Sequence, residues 1–198
     1  MSKEVRSRAI VLQKYPFQEH HWILRLYTEE EGLISVLTRG RKSTQFPAGA
    51  LIRVRLHLRP QRELQRLAEA EWDYLYQRLF QNPQYHPYLW TAVEWLQRCL
   101  VGRDPLLFAW VHEQLITLDN ASDPHRQLIN FLVELLPRLG GKSLETTPLS
   151  LSEVEKAYAA FFPEWKPLRS LSIVESLTLP IYEQGCHRSP FLSSFGAD

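Results

Sequence analysis

An α+β multidomain chain, with a small five-stranded β-barrel followed by an α-helical bundle, is the architecture this 198-residue sequence predicts. Three observations carry it. Apolar residues recur with period two in five short segments before Trp72, as in half-buried strands. Beyond Trp72 the apolar period lengthens to that of amphipathic helices, punctuated by capping residues. Charge divides near the same place: residues 1–67 hold 13 Lys and Arg against 6 Asp and Glu, and residues 68–198 hold 10 against 16. The overall +1 therefore joins a module of +7 to one of −6. A basic module attracts polyanions at long range, so charge speaks to partners although it says nothing of fold.

Strand one runs from Val5 to Gln13, with Arg6, Arg8, Ile10 and Leu12 on one side and Val5, Ser7, Ala9 and Val11 on the other; Lys14-Tyr15-Pro16 ends it. Trp22 to Thr28 and Leu33 to Thr38 form a hairpin around the turn Glu29-Glu30-Glu31-Gly32. Trp22 is in phase with Leu24 and Leu26 and belongs with the core, while Tyr15 and Phe17 are open candidates for stacking on a base. Pro47 and Gly49 break the chain before strand four, Leu51 to Leu58. A fifth strand follows from Glu63 to Leu67, running towards Trp72. Five short strands with regularly spaced turns fit an OB-fold, whose sheet face and loops bind single-stranded nucleic acid.

Helices follow. Asp73 is expected to cap Tyr74 to Phe80, and Pro83 to open a helix bearing Tyr88, Leu89, Val93, Leu96 and Leu100. Asp104-Pro105 and Ser122-Asp123-Pro124 open two more, the second ending at Pro137 and Gly140-Gly141. Ser152-Glu153-Val154-Glu155 matches a capping box for a helix to about Phe162. Leu171 to Leu179 is a short helix, and residues 184–198 a flexible tail. The domains are thus 1–72, 73–183 and the tail. Trp90, Trp95, Trp110 and Trp165 fall in helices and are read as core or interface anchors.

The stretch Arg39 to Arg59 concentrates the cations. On strand four Ile52, Val54, Leu56 and Leu58 alternate with Arg53, Arg55, His57 and Arg59, so one face is apolar and the other cationic. Before it, Arg39, Arg41 and Lys42 surround Gly40, and Arg6 and Arg8 extend the patch from strand one. Two readings fit: a solvated edge that deters aggregation, or a surface for phosphate oxygens, which arginine suits because its planar donors engage them in pairs. The candidate DNA-binding residues are Arg8, Arg39, Arg41, Lys42, Arg53, Arg55 and Arg59. Docking of an acidic protein patch, or of RNA, are the alternatives.

Catalytic chemistry is not legible. His112-Glu113-Gln114-Leu115-Ile116 begins like a zinc-protease helix, but Ile116 stands where the second histidine belongs. No phosphate-binding glycine loop or nucleophile elbow occurs, and adjacent His20 and His21 would point to opposite faces. No enzyme, metal or cofactor is expected. Cys99 and Cys186 stand alone, which argues against disulfides and for a reducing cytoplasmic setting. The apolar run Ala9 to Leu12 is too short for a signal peptide or a membrane span.

Arg8-Ala9-Ile10-Val11-Leu12, the hairpin Leu24 to Val36, Arg39-Gly40-Arg41-Lys42-Ser43 and Arg62 to Glu71 resemble the N-terminal domain of the RecO family of bacterial recombination mediators. Asp104 to Asp119 and Phe131 to Gly140 continue the likeness in order. The resemblance implies an OB-fold joined to a helical domain, binding of single- and double-stranded DNA, and annealing of complementary strands. It also implies action with RecR to help RecA replace single-strand-binding protein, whose acidic, apolar C-terminal tail is a further partner. Many members carry a four-cysteine zinc module after the Leu-Gly motif; Gly140-Gly141-Lys142-Ser143-Leu144 is followed by none, so the chain resembles the shorter, zinc-free members.

Overall fold

A computed structural model describes residues 3–18, 20–39, 45–144, 150–166, 168, 170, 171, 173 and 174. Five strands, β1 (Lys3–Pro16), β2 (His21–Thr28), β3 (Gly32–Arg39), β4 (Leu51–Leu58) and β5 (Leu64–Tyr74), close into a barrel in the order β1-β2-β3-β5-β4. Every pairing is antiparallel except β3 with β5, which is parallel and joins only Ser35–Leu37 to Leu64–Arg66. This is the OB arrangement. Its interior is filled by alternate residues, among them Ala9, Val11, Leu24, Leu26, Val36, Ile52, Val54 and Leu56, as period-two patterning requires. Phe46 closes one side, edge-on to Trp72 at 5.1 Å between ring centroids.

Among the elements of the described residues, a 3-10 turn, Pro83–Tyr85, is followed by α1 (His86–Cys99), α2 (Pro105–Asn120), α3 (Pro124–Arg138) and α4 (Leu151–Phe161). Asp104 and Asp123 cap α2 and α3, accepting from Leu107 N (2.9 Å) and Arg126 N (3.0 Å), with proline in the first turn of each. Pro137 is tolerated because it lies in the last turn of α3, and Gly140, at φ +90°, supplies the left-handed stop.

The barrel and the helices share one core. The outward residues of β1 divide between solvent and protein: Arg6 is exposed and Arg8 half-buried, whereas Ile10 and Leu12 are buried with Tyr27, Leu51 and Tyr76 under Trp95, Phe108 and Leu115 of the helices. Leu12 is the extra residue of a β-bulge, since Val11 pairs with Leu26 and Gln13 with Arg25; its carbonyl, turned out of the ladder, accepts from Gln97 Nε2 of α1.

Several expectations are corrected. No helix spans Tyr74 to Phe80: β5 runs on to Tyr74, and the next residues form an irregular linker. The reason is Asp119 of α2, whose carboxylate accepts from the backbone N–H groups of Gln77 (2.8 Å), Arg78 (2.9 Å) and Leu79 (2.8 Å), giving them partners other than a helical turn. The capping box of α4 belongs to Ser150 and Glu153, one pair earlier than Ser152 and Glu155. Trp90 is exposed on α1 and so is not part of the core, while Trp95 is fully buried. Trp22 faces inwards but is only half-buried, with Lys14 Nζ 4.7 Å from its ring centre. Arg41, Lys42, most of Leu171–Leu179 and all of residues 184–198 lie outside the described residues.

Candidate nucleic-acid interface

The alternation of β4 turns Ile52, Val54 and Leu56 into the barrel and Arg53, Arg55 and His57 outwards. Register then decides what the outward arginines meet. On one flank, β1 sets Arg8 beside Arg53 and Arg6 beside Arg55; on the other, β5 sets Glu71 beside Arg53 and Glu69 beside Arg55. Arg53 Nε lies 2.7 Å from Asp73 Oδ1 and its Nη1 4.0 Å from Glu71. Arg55 pairs with Glu69 and, at 3.5 Å, with Glu4. Arg8 makes a two-pronged bond to Glu29 of the β2–β3 turn, at 2.9 and 2.8 Å, and this hydrogen bond draws the Glu29 carboxyl below its ordinary range. The face read as cationic is an alternating lattice of ions.

Asp73 joins that lattice to the helices. It is the extra residue of a second bulge, because Trp72 pairs with Ile52 and Tyr74 with Leu51, and the bulge turns its side chain towards α2. There Oδ2 lies 2.8 Å from His112 Nε2, with both side chains about nine-tenths buried. An ionised carboxylate can only accept, so Nε2 carries the proton. Burial lowers the His112 pKa below its ordinary value, partly opposed by the bond to Asp73. This histidine, one residue of the failed zinc signature, is a structural link.

A second surface lies across β1, β2, β3 and the start of β5. Three outward rows follow from the pairing: Gln13, Arg25, Ser35 and Leu64; Tyr15, Ile23, Leu37 and Arg66; and His21 with Arg39. The β3–β5 seam opens into a groove of about 1150 Å³ whose lining includes Arg39, Arg59, Arg62, Arg66, His21 and His57. Gln65 fixes the β4–β5 turn beside it, accepting from Arg59 N (2.7 Å) and donating to the carbonyls of Arg59 (3.1 Å) and Arg62. Among the described residues, none of the guanidinium groups of Arg25, Arg39, Arg59, Arg62 and Arg66 has a carboxylate within ion-pair distance.

The candidates therefore separate. Arg39 and Arg59 stand at the groove with no carboxylate partner among the described residues; Arg8, Arg53 and Arg55 stand in the lattice, engaged; Arg41 and Lys42 lie outside the described residues. Arg25, Arg62 and Arg66 were not singled out from sequence. The signal for two of them existed, since Arg62 and Arg66 flank the start of β5 in a run otherwise read only as strand. Among the described residues no cluster of His, Cys, Asp and Glu is placed to hold a metal, and no helix is long and apolar enough to cross a membrane.

Comparison with known proteins agrees with this barrel. Residues 1–76, which cover it, match the family model described as the N-terminal part of recombination protein O. The DNA repair protein RecO of Nitrosospira multiformis is 31% identical over 172 residues, covering 75% of this chain and 67% of that protein. The RecO of Chlorobium phaeobacteroides strain DSM 266 is 27% identical over 168 residues, covering 79% of this chain and 64% of the relative. In strain BS1 of the same species the match is 39% over 71 residues. The chain spans about two thirds of the length of the Nitrosospira multiformis and strain DSM 266 relatives. With the barrel, its position before a helical bundle and these relatives in agreement, the chain belongs to the RecO family of DNA repair proteins.

Proposed function

We propose that this chain is a non-enzymatic recombination mediator that holds single- and double-stranded DNA by the backbone and anneals complementary strands. With RecR it helps RecA replace single-strand-binding protein in the bacterial cytoplasm, at the nucleoid. Residues 1–72 carry the DNA, and residues 73–183 receive the acidic, apolar C-terminal tail of single-strand-binding protein. The observation that supports this most is the set of guanidinium groups along the β3–β5 groove that have no carboxylate partner among the described residues. Guanidinium charge without a carboxylate partner is available to phosphate oxygens, and phosphate contact gives affinity and orientation without a base code. Arg39, Arg59, Arg62 and Arg66 make the primary contacts, continued through Arg41 and Lys42. Arg8, Arg53 and Arg55 engage DNA only by exchanging a carboxylate for a phosphate, so their share is smaller. Cations that screen strand–strand repulsion also favour annealing.

The test is binding and annealing of complementary oligonucleotides by wild type, Arg59→Ala/Arg62→Ala/Arg66→Ala and Arg53→Ala/Arg55→Ala. The groove variant should lose binding of every sequence alike, and its plot of log affinity against log salt should flatten by about 0.7 per lost phosphate contact on single strands. The lattice variant should change much less. Equal losses in the two, or none, would remove the groove from the account.

A further inference from the structure

We infer that the β3–β5 groove is a proton-linked grip: His21 and His57, one on each side of the seam, take up protons as an anionic backbone settles between them, so binding tightens as pH falls below neutrality. The inference rests on the proposed DNA binding at this groove and adds to it a means of regulation.

The barrel order β1-β2-β3-β5-β4 puts β2 and β3 on one side of the seam and β5 and β4 on the other. Register then sets a histidine beside a guanidinium on each side. His21 of β2 stands opposite Arg39 of β3, and His57 of β4 stands opposite Arg66 of β5. All four residues line the groove, together with Arg59 and Arg62. Both histidines are half-buried, so each ring keeps contact with solvent and with a chain laid along the seam.

The charges around them are of both signs. His57 has Glu4 opposite it on β1, and that carboxylate is engaged by Arg55 at 3.5 Å. Glu63 and Glu69 also line the groove, and Glu69 is paired with Arg55. His21 faces Arg39 on β3, while on its other flank Phe17 N donates to His21 O at 2.9 Å. His112 takes no part, since it is buried against Asp73 and does not line the groove.

Histidine is the side chain whose ordinary charge change falls between pH 5 and 8, whereas guanidinium stays charged throughout that range. An anion brought within about 4–6 Å of a histidine favours its charged form. Linkage is reciprocal, so a surface that gains protons on binding phosphate binds phosphate more tightly where protons are abundant.

The test measures binding of a short deoxythymidine oligomer by the full chain at pH 8 and pH 6 over a salt series, and the heat of binding at pH 6.5 in two buffers of different ionisation heat. Wild type should bind about tenfold more tightly at pH 6, the scale of two exposed ion pairs together. Its plot of log affinity against log salt should steepen by up to about 0.7 for each histidine, and the buffer difference should report proton uptake. His21→Gln/His57→Gln should lose the pH response and the proton uptake together. His20→Asn, at an exposed turn residue outside the groove, should keep both. Far-ultraviolet circular dichroism at each pH separates loss of fold from loss of charge. Wild type with equal affinity and slope at both pH values, or a double variant that retains the wild-type response, would overturn the proton link while leaving backbone binding intact. Wild type that binds at neither pH would instead overturn the DNA reading on which the link rests.

Discussion

Asp119 is 1% exposed on α2 and, among the described residues, has no cation within ion-pair distance; three backbone N–H groups and the Tyr74 hydroxyl at 3.0 Å satisfy it instead. A buried carboxylate is tolerable on those terms because each donor replaces a lost water. Asp119→Ala would strand the three donors of the linker, and we expect it to lower unfolding free energy by about 3 kcal/mol or more, measured by urea titration. Asp119→Asn, which keeps one acceptor oxygen, should lose less. His112 makes a different prediction. Its pKa is lowered in the folded protein, so between the ordinary histidine value near 6.5 and that lower value the unfolded chain binds more protons. This contribution to stability is therefore complete above about pH 6.5 and is lost as pH falls through the folded value. The depressed Glu29 carboxyl acts in the same direction at lower pH, below the ordinary glutamate range near 4.3. Urea midpoints should thus fall between pH 7 and 5 in wild type and fall less in His112→Phe; an identical slope would show that His112 does not titrate on unfolding.

The elements themselves were largely legible. Period-two alternation marked the five strands, and the Asp-Pro pairs marked α2 and α3, because both signals are local. What the sequence hid is non-local. Arg53 and Arg55 alternate outwards as expected, but their carboxylates come from β5 and, for Glu4, from β1, and the one facing Arg8 comes from the β2–β3 turn. Asp73 looked like a helix cap because capping residues are read from position alone; a bulge and a histidine on another element gave it another task. Gly32 shows the same dependence. It has φ +69°, and a Cβ there would stand 2.7 Å from the backbone nitrogen of Arg103 in the α1–α2 connection. The sequence identified a turn glycine, while the structure shows a contact point between hairpin and helices. Gly32→Ala would meet both the backbone strain and the clash, and backbone cannot yield as a flexible side chain can. We expect a loss of about 2 kcal/mol or more on chemical unfolding, together with faster amide exchange at the hairpin tip, where Glu30 bonds Arg103 at 3.3 Å.

At the scale of the whole molecule, the basic barrel and the acidic helical bundle are held together by more than charge. Ile10, Leu12, Tyr27, Leu51 and Tyr76 contribute to the helical core, Arg8 lies 5.6 Å from the Phe108 ring centre, and the Tyr27 hydroxyl donates to Asp104 O at 3.2 Å. The junction also positions the barrel's outer face, because the β1 bulge at Leu12 and the β5 bulge at Asp73 are anchored by Gln97 and His112. A barrel cut free of the helices would expose those five apolar side chains at once, each worth roughly 1.5–3 kcal/mol of lost burial for the aliphatic ones alone. Total stability of a natural domain is only about 5–15 kcal/mol, so the loss is large enough to decide the outcome. We therefore expect residues 1–80 expressed alone to be unfolded or aggregated, and the full chain to unfold in one step. Far-ultraviolet circular dichroism, which follows the helices, and fluorescence of Trp22 and Trp72, isolated by replacing the other four tryptophans with Phe, should give coincident urea transitions. Two separated transitions, or a soluble barrel with native strand content, would show instead that the shared core is a contact between independent folds.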